Sequence, residues 1–379
     1  MEERQICSRC VMDTSDPGIA IGSDGVCNAC KAYDKQKAAY GYRPGESEKK
    51  LDALIAQIKQ DGKGSAFDCV IGISGGVDSA YLAQYAVKRG LRVLAVHVDA
   101  GWNSEIAVRN IESICQKLHI DLHTYVMDWP TMKELQRAYM FSGVANLDVP
   151  QDHLFLSAMT RTARQYRVKY LLSGENLATE GAFSPFSVQH NAADAWHMKS
   201  IYRKWGRGQS LQKYPFMSLW ESRMGMKNVQ RVNLLDYLPY SKSKAIEELE
   251  RDFDWEYYGG KHFESRFTKY FQSVYLPQKF GYDKRRSHLS CLINNGEMTR
   301  EDALKELAEP PYDPAQMNED EAYILKKLDI APEEWQKVLS APPTPDNAYF
   351  SQKRVTDMVK RFLSREKQDE MIFGAKRPQ

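Results

Sequence analysis

VIGISGGVDSAYLAQ, residues 70–84, decides the fold. The stretch starts as an apolar strand, turns through two glycines set between serines, and continues in helix-forming residues. A strand, a glycine turn and a helix in that order aim backbone N–H groups and a helix dipole at one point, where an anion binds. The lysine of the GxxxxGK[ST] loop is missing, and GISGGV is not GxGxxG. Neither a P-loop kinase nor a dinucleotide dehydrogenase is therefore the first choice. Gly75 and Gly76 let oxyanions come close to the backbone, and Ser74 and Ser79 add hydroxyl donors. Val77 is a further candidate contact in this loop, and Asp78 is a candidate Mg²⁺ ligand.

Outward from this stretch, strands and helices alternate. DCVIGI (68–73), RVLAVHV (92–98), LHTYVM (122–127) and KYLLS (169–173) read as strands. Between them run helices over 78–90, over a segment capped by Ser104, over one with Pro130 in its first turn, and from a cap at Asp152 to about 168. Such alternation predicts an α/β fold with a doubly wound parallel sheet. Residues 46–64 form an amphipathic helix, with Leu51, Leu54, Ile55 and Ile58 on one stripe. Residues 176–235 lack clear periodicity and read as long functional loops. Beyond Ser241 the spacing is helical, over 241–253, 299–307, 318–328, 332–340 and 351–363. The expected division is a four-cysteine zinc module (1–45), an α/β core (46–240) and a helical C-terminal region (241–379).

Seven cysteines and a net charge of +2 are spread over 379 residues. Near-neutral charge gives no sign of a nucleic-acid or membrane partner. No apolar run is long enough to span a bilayer, and the N-terminal MEERQICSRC lacks the apolar core of a signal peptide. An odd cysteine count without such a signal fits a reducing compartment, so the cytoplasm is expected. Cys7, Cys10, Cys27 and Cys30 make two CxxC pairs sixteen residues apart, which suits tetrahedral zinc. Four thiolates leave no open position, so this Zn²⁺ should be structural. Cys69, Cys115 and Cys291 read as core packing.

SGGVDS resembles the pyrophosphate loop of the N-type ATP pyrophosphatases, the PP-loop superfamily. The resemblance implies ATP cleavage between the α- and β-phosphates, adenylation of a substrate oxygen, and displacement of AMP by a nucleophile. It also implies a nucleotide site that includes Val98 on the second strand, near Val96 and His97, and Gly174 and Glu175 in LLSGEN (171–176). Together with the two CxxC pairs, NLDVPQDH (146–153), SGENLATEG (173–181), YYGGKHFESRF (257–267) and KFGYDKRRSHLSCLINNGEMTREDAL (279–304) resemble the N-acetyl sugar amidotransferases, the WbpG/PseA-like group. That resemblance implies conversion of a sugar acetamido group to an acetamidino group with ATP, Mg²⁺ and ammonia. The sugar would be a nucleotide-linked diacetamido uronic acid or a nonulosonic acid bound for O-antigen, capsule or flagellin glycan.

With Met1-Glu2 at the start and no GxCxG elbow, ammonia is expected from a separate glutaminase. The resemblance implies a glutaminase and a cyclase-like channelling subunit similar to those of imidazole glycerol phosphate synthase. Gln151, Asp152 and His153 either line the sugar or ammonia site or form a plain helix start. Lys279, Arg285 and Arg286, with Lys284, either bind phosphates or make a solvated basic face, and Lys279 is the first choice for a phosphate contact. His262, Glu264 and Arg266 lie after a double glycine and serve either the site or ion-pair packing. Asn176 is a further substrate-site candidate, and Trp196, His197 and Lys199, in the irregular stretch, are candidates to shape the sugar pocket. Two rival readings are a tRNA thiolation enzyme of the same superfamily and a zinc-ribbon binding protein with an inactive ATP site.

Overall fold

A computed structural model describes residues 4–181, 192–218, 221, 229–353 and 355–356. Five strands form one sheet: β1 (Cys69–Gly72), β2 (Val93–Asp99), β3 (Asp121–Val126), β4 (Tyr170–Ser173) and β5 (Gln230–Asn233). Their order is β3-β2-β1-β4-β5, and every pairing is parallel. Side chains alternate across the sheet. Cys69, Ile71, Val93 and Ala95 pack on one face, and Val70, Leu94, Val96 and Val98 on the other. Both faces are thus apolar and both are covered, as a doubly wound sheet requires. The strand order reverses between β1 and β4, so the loops that leave these two strands flank a switch point where ligands bind.

In chain order, the N-terminal helices are α1 (Asn28–Tyr40), α2 (Glu46–Asp61), α3 (Val77–Lys88) and α4 (Glu105–Leu118). Next come α5 (Trp129–Ser142), α6 (Val149–Gln165), α7 (Leu177–Glu180), α8 (Ala195–Trp205) and α9 (Lys242–Phe253). The C-terminal helices are α10 (Arg266–Tyr270), α11 (Leu276–Phe280), α12 (Arg285–Asn295), α13 (Arg300–Ala308), α14 (Pro314–Lys327) and α15 (Pro332–Ser340). Helices α2, α3, α4 and α9 cover one face of the sheet; α5 and α6 cover the other, with α8 and the later helices packed behind them. No described helix is long and apolar enough to cross a membrane.

Two expectations need correction. The stretch 176–235 is not all loop: it carries α7, α8 and β5. Helix α8 is hidden in the sequence because its buried positions mix Ala195, His197, Met198 and Ile201. Its start is fixed by the Asp194 carboxylate, which accepts from the N–H groups of Trp196 (3.1 Å) and His197 (3.0 Å). β5 reads QRVN; as an edge strand it buries only Val232 and shows no apolar run. Helix α6 begins at Val149 with Pro150 in its first turn, so Asp152 lies inside the helix and is not its cap. Of the helix expected over 351–363, residues 354 and 357–363 lie outside the described residues.

Behind α5, Trp335 is fully buried, stacks on Tyr275 at 5.6 Å, and donates its indole N–H to Tyr270 Oη at 2.8 Å. Trp335→Ala leaves a large void and removes one of the two hydrogen-bond partners of the Tyr270 hydroxyl, which still donates to Glu321, and should cost about 3–5 kcal/mol in denaturant unfolding.

Candidate functional site

The turn after β1 is built for close approach. Gly75 has φ +81°, and a Cβ there would lie 2.5 Å from the Ala107 carbonyl oxygen. Its own carbonyl is turned away from the cavity, where Trp255 Nε1 (3.0 Å) and Asn110 Nδ2 (3.3 Å) donate to it. Ser74 Oγ accepts from the Gly76 N–H at 3.3 Å, and Ser79 Oγ donates to the Gly76 carbonyl at 3.0 Å. Gly174, from the loop after β4, sits against this turn: a Cβ there would be 3.1 Å from the Asp78 carbonyl carbon. Glycine is therefore the residue that lets the two loops of the switch point touch.

Asp78, in the first turn of α3, gathers groups from distant segments. Its Oδ1 accepts from Tyr240 Oη at 2.5 Å and Asn176 Nδ2 at 3.3 Å. Its Oδ2 is 3.8 Å from the ammonium of Lys261, which also pairs with Glu180 at 2.8 Å and donates to Thr179 Oγ1 at 3.1 Å. Burial opposes the charge on Lys261, but Glu180 and Asp78 outweigh it and hold the pKa above the usual lysine value. Burial likewise opposes the charge on Glu180, yet Lys261 and His262 draw its pKa below the usual carboxylate range. The loop after α9 is held over the turn by Ser104 N–H donating to the Glu264 carbonyl and Arg266 N–H to the Trp102 carbonyl, both at 2.8 Å. The cation missing from SGGVDS is thus delivered from GGKH, residues 259–262. Sequence reading passed over Lys261; the one signal was a lysine directly after two glycines.

Two cavities meet here. The smaller, about 210 Å³, is lined by Ser74, Gly76, Val77, Asp78, Ser79 and Gly174, with Lys242, Tyr258, Lys261 and Glu264 opposite. The larger, about 1080 Å³, is walled by Asp152, Asn176, Lys284, His288 and Cys291 on the core side and by residues of α1 and α2 at its mouth. Glu175, Glu180 and His262 line both. His262 Nδ1 lies 3.6 Å from Glu264 Oε1, and the ring sits 5.5 Å from that of His288. Loss of surrounding water pushes the Asp152 carboxyl up to about 6 against the pull of His262. The same effect, reinforced by Lys261, lowers Lys284 to about 8. The larger cavity therefore holds an acid and a base whose pKa values both lie near neutrality.

Several expected site residues lie elsewhere. The ammonium of Lys279 donates to the carbonyls of Val338 (2.5 Å) and Ala341 (2.7 Å), at the end of α15. Arg285 pairs with Asp283 and donates to the carbonyls of Glu306 (2.9 Å) and Glu309 (3.0 Å), at the end of α13. Orphan carbonyls at a helix C-terminus attract cations much as phosphate does, so sequence spacing cannot tell the two apart. Arg266 pairs with Asp320 and lies 4.0 Å from the Tyr323 ring centroid. Gln151 is buried and donates to Asp148. His153 is fully buried, with one ring nitrogen on the Ala192 carbonyl and the other accepting from Met217 N–H at 2.9 Å. Val98 is buried in the sheet core and lines neither cavity. His97 also serves the core, with Nδ1 on the Ile73 carbonyl at 3.2 Å. Trp196 stacks on Phe350, His197 bonds the Asp346 carbonyl, and Lys199 lies over Phe216.

Cys7, Cys10, Cys27 and Cys30 are buried, with their sulfurs within 4.8 Å of one another. Cys10 Sγ and Cys27 Sγ are 3.7 Å apart, close to the edge of about 3.8 Å that four Zn–S bonds impose on a tetrahedron. The N–H of Cys27 donates to Cys7 Sγ (3.2 Å) and that of Met12 to Cys10 Sγ (3.4 Å), as thiolates require. The donor set fits one tetrahedral metal ion. Helix α12 joins this knuckle to the larger cavity. Ser290 Oγ accepts from Val11 N–H (3.3 Å), and Asn294 Nδ2 donates to Cys30 Sγ (3.6 Å). Arg286 donates to the Val11 carbonyl (2.7 Å) and pairs with Asp13 (3.0 Å), which takes it away from the substrate site. Residues 286, 290 and 294 thus share the knuckle face, while His288 and Cys291, with Lys284 at the helix start, line the cavity.

Residues 264–363 match the family model of the LPS biosynthesis protein WbpG-like, C-terminal domain. The C-terminal region is WbpG-like. Residues 68–174 match the model of the queuosine biosynthesis protein QueC, so this WbpG-like region follows an ATP pyrophosphatase-type core. The resemblance read from the sequence is borne out in these two regions, the core being QueC-like and the C-terminal part WbpG-like. No curated protein matches the chain. Among solved structures, the NH3-dependent NAD synthetase from Campylobacter jejuni is 14% identical with TM-score 0.30, covering 76% of this chain and 97% of its own. The U34-tRNA thiolase NcsA from Methanococcus maripaludis, with its [4Fe-4S] cluster, is 15% identical with TM-score 0.33, covering 77% and 87%. The NMN synthetase from Francisella tularensis is 16% identical with TM-score 0.30, covering 59% and 100%. Likeness at that level says nothing of what this chain binds.

Gly174→Ala should weaken ATP binding by about tenfold or more, measured by calorimetry, because the added methyl separates the two loops. Stripping the metal with a chelator should melt α12 and the knuckle first. Hydrogen exchange would report this as lost protection over 5–33 and 285–295 while β1 and β2 stay protected.

Proposed function

We propose that the chain activates a sugar acetamido oxygen with ATP and exchanges it for ammonia, giving an acetamidino group. The observation that supports this reading best is the shared wall of Glu175, Glu180 and His262 between the phosphate-loop cavity and the larger cavity. A nucleotide held in the first can reach a substrate held in the second. The acetamido oxygen attacks the α-phosphorus, and the bond to the β-phosphate breaks. The serine hydroxyls, the Gly76 N–H side of the turn and Lys261 meet the charge of departing pyrophosphate. Of the Asp78 oxygens, Oδ2 has no hydrogen bond among the described residues and would meet Mg²⁺ brought in with ATP. Ammonia then adds to the imidate carbon, AMP leaves, and the proton lost by nitrogen passes to a cavity base such as Asp152.

Ammonia comes from a separate glutaminase through a cyclase-like partner in this reading. Cys69, Cys115 and Cys291 are all buried. Burial pushes the Cys115 thiol up to about 11 and the Cys291 thiol to about 12. None is a thiolate poised to attack glutamine. The sugar is a nucleotide-linked diacetamido uronic acid or a nonulosonic acid for surface glycan. The knuckle holds structural Zn²⁺.

Purified protein with MgATP, ¹⁵N-ammonium and a panel of N-acetylated sugars should release AMP and pyrophosphate only with the right sugar. One ¹⁵N should replace one acetamido oxygen by mass spectrometry. ADP as the nucleotide product would sink the adenylation step. AMP formed only with tRNA and a sulfur donor would move the assignment to thiolation. Lys261→Met should lower sugar-dependent AMP formation about 100-fold or more, with a thermal melt checking that the variant folds.

A further inference from the structure

The start of α12 holds charges that the scheme above leaves unused. Lys284 lies in the wall of the larger cavity. Asp152 shares the cavity wall and acts on Lys284 only through space, and the other carboxylates near it are engaged elsewhere. Glu180 pairs with Lys261 at 2.8 Å, and Asp283 with Arg285 at 2.8 Å. Asp16 accepts from the Gly18 N–H at 2.8 Å. Among the described residues, no carboxylate or carbonyl oxygen lies within bonding distance of the Lys284 ammonium. One turn on, His288 Nε2 is buried and has no hydrogen-bond partner among the described residues. Both side chains line the same cavity, and the His262 ring stands 5.5 Å from that of His288. A half-buried ammonium without a bonded counter-ion is unfavourable, and a buried imidazole nitrogen without a partner is costly. Both costs vanish if one anionic group sits between them.

We propose that Lys284 and His288 form an anion site that binds a carboxylate or phosphate group of the substrate. The ammonium supplies charge and up to three N–H donors, and His288 Nε2–H supplies one directed donor. Two donors from adjacent turns of one helix match the two oxygens of a carboxylate or two of a phosphate. Lys261 is not part of this site, because it lines the smaller cavity beside Asp78 and not the larger one. The anion site therefore lies apart from the pyrophosphate turn and selects the second substrate rather than ATP. This assignment rests on the larger cavity being the substrate's.

The test pairs two ligands that differ only at one carbon: UDP-N-acetylglucosamine and its uronic acid. If the anion is a sugar carboxylate, wild type binds the acid about tenfold or more tightly. Lys284→Gln then erases the difference while ATP affinity holds. Equal loss of affinity for both ligands in Lys284→Gln assigns the site to phosphate. A second measurement keeps the site separable from the substrate reading. Acetylation of Lys284 by an N-hydroxysuccinimide ester is followed by peptide mass spectrometry, with and without free glucuronate or inorganic phosphate. Protection by either anion, with neither nucleotide-sugar bound, keeps the anion site and removes the nucleotide-sugar. Acetylation of Lys284 at one unchanged rate in the presence of every anion overturns the proposal.

Discussion

The Asp78 carboxylate ties the molecule's distant parts into one site. It sits at the positive end of α3, where a negative charge is favoured. A tyrosine from the segment before α9, an asparagine from the loop after β4 and a lysine from the loop before α10 all converge on it. The turn that cradles phosphate has no lysine of its own, so its cation arrives through the fold. Formation of the anion cradle therefore waits for long-range packing of the C-terminal region onto the sheet. Local sequence builds the backbone of the cradle; tertiary structure supplies its charge.

Much of this was legible in the sequence. Strands β1, β2 and β4 stand out because both of their faces are apolar, and SGGVDS follows the first of them, whereas edge strand β3 has no buried residue and stands out by its β-branched and aromatic residues. The four cysteines are legible because ligand spacing is a local constraint. The remainder was hidden for physical reasons. An edge strand such as QRVN buries one side chain and leaves no pattern. Lys261 looks like any surface lysine until Asp78 and Glu180 are folded against it. The basic run from Lys279 to Arg286 was misread because carbonyl ends of helices and phosphates present the same demand to a cation. Only Lys284 of that run faces the cavity.

The two cavities divide the chemistry by charge. Around the turn, N–H groups, hydroxyls and Lys261 suit an anion that leaves. In the larger space, Asp152 and Lys284 are groups whose protonation can change near neutral pH, because loss of surrounding water moves the first upward and the second downward. Groups of that kind suit the ammonia step proposed above, in which ammonium must lose a proton before it can attack. The shared wall keeps the two functions within reach of one bound pair of reactants.

The two faces of α12 have a thermodynamic consequence. One face is fastened to the cysteine knuckle and the other borders the cavity, so metal and ligand draw on the same short helix. Binding at either face narrows the freedom that the other must restrain. By reciprocity, a ligand that orders the cavity wall raises the affinity of the knuckle for its metal by the same factor that the metal raises affinity for the ligand. An enzyme working with its substrate would then surrender its metal more slowly than an idle one, and scarcity of the metal would fall first on molecules with nothing bound.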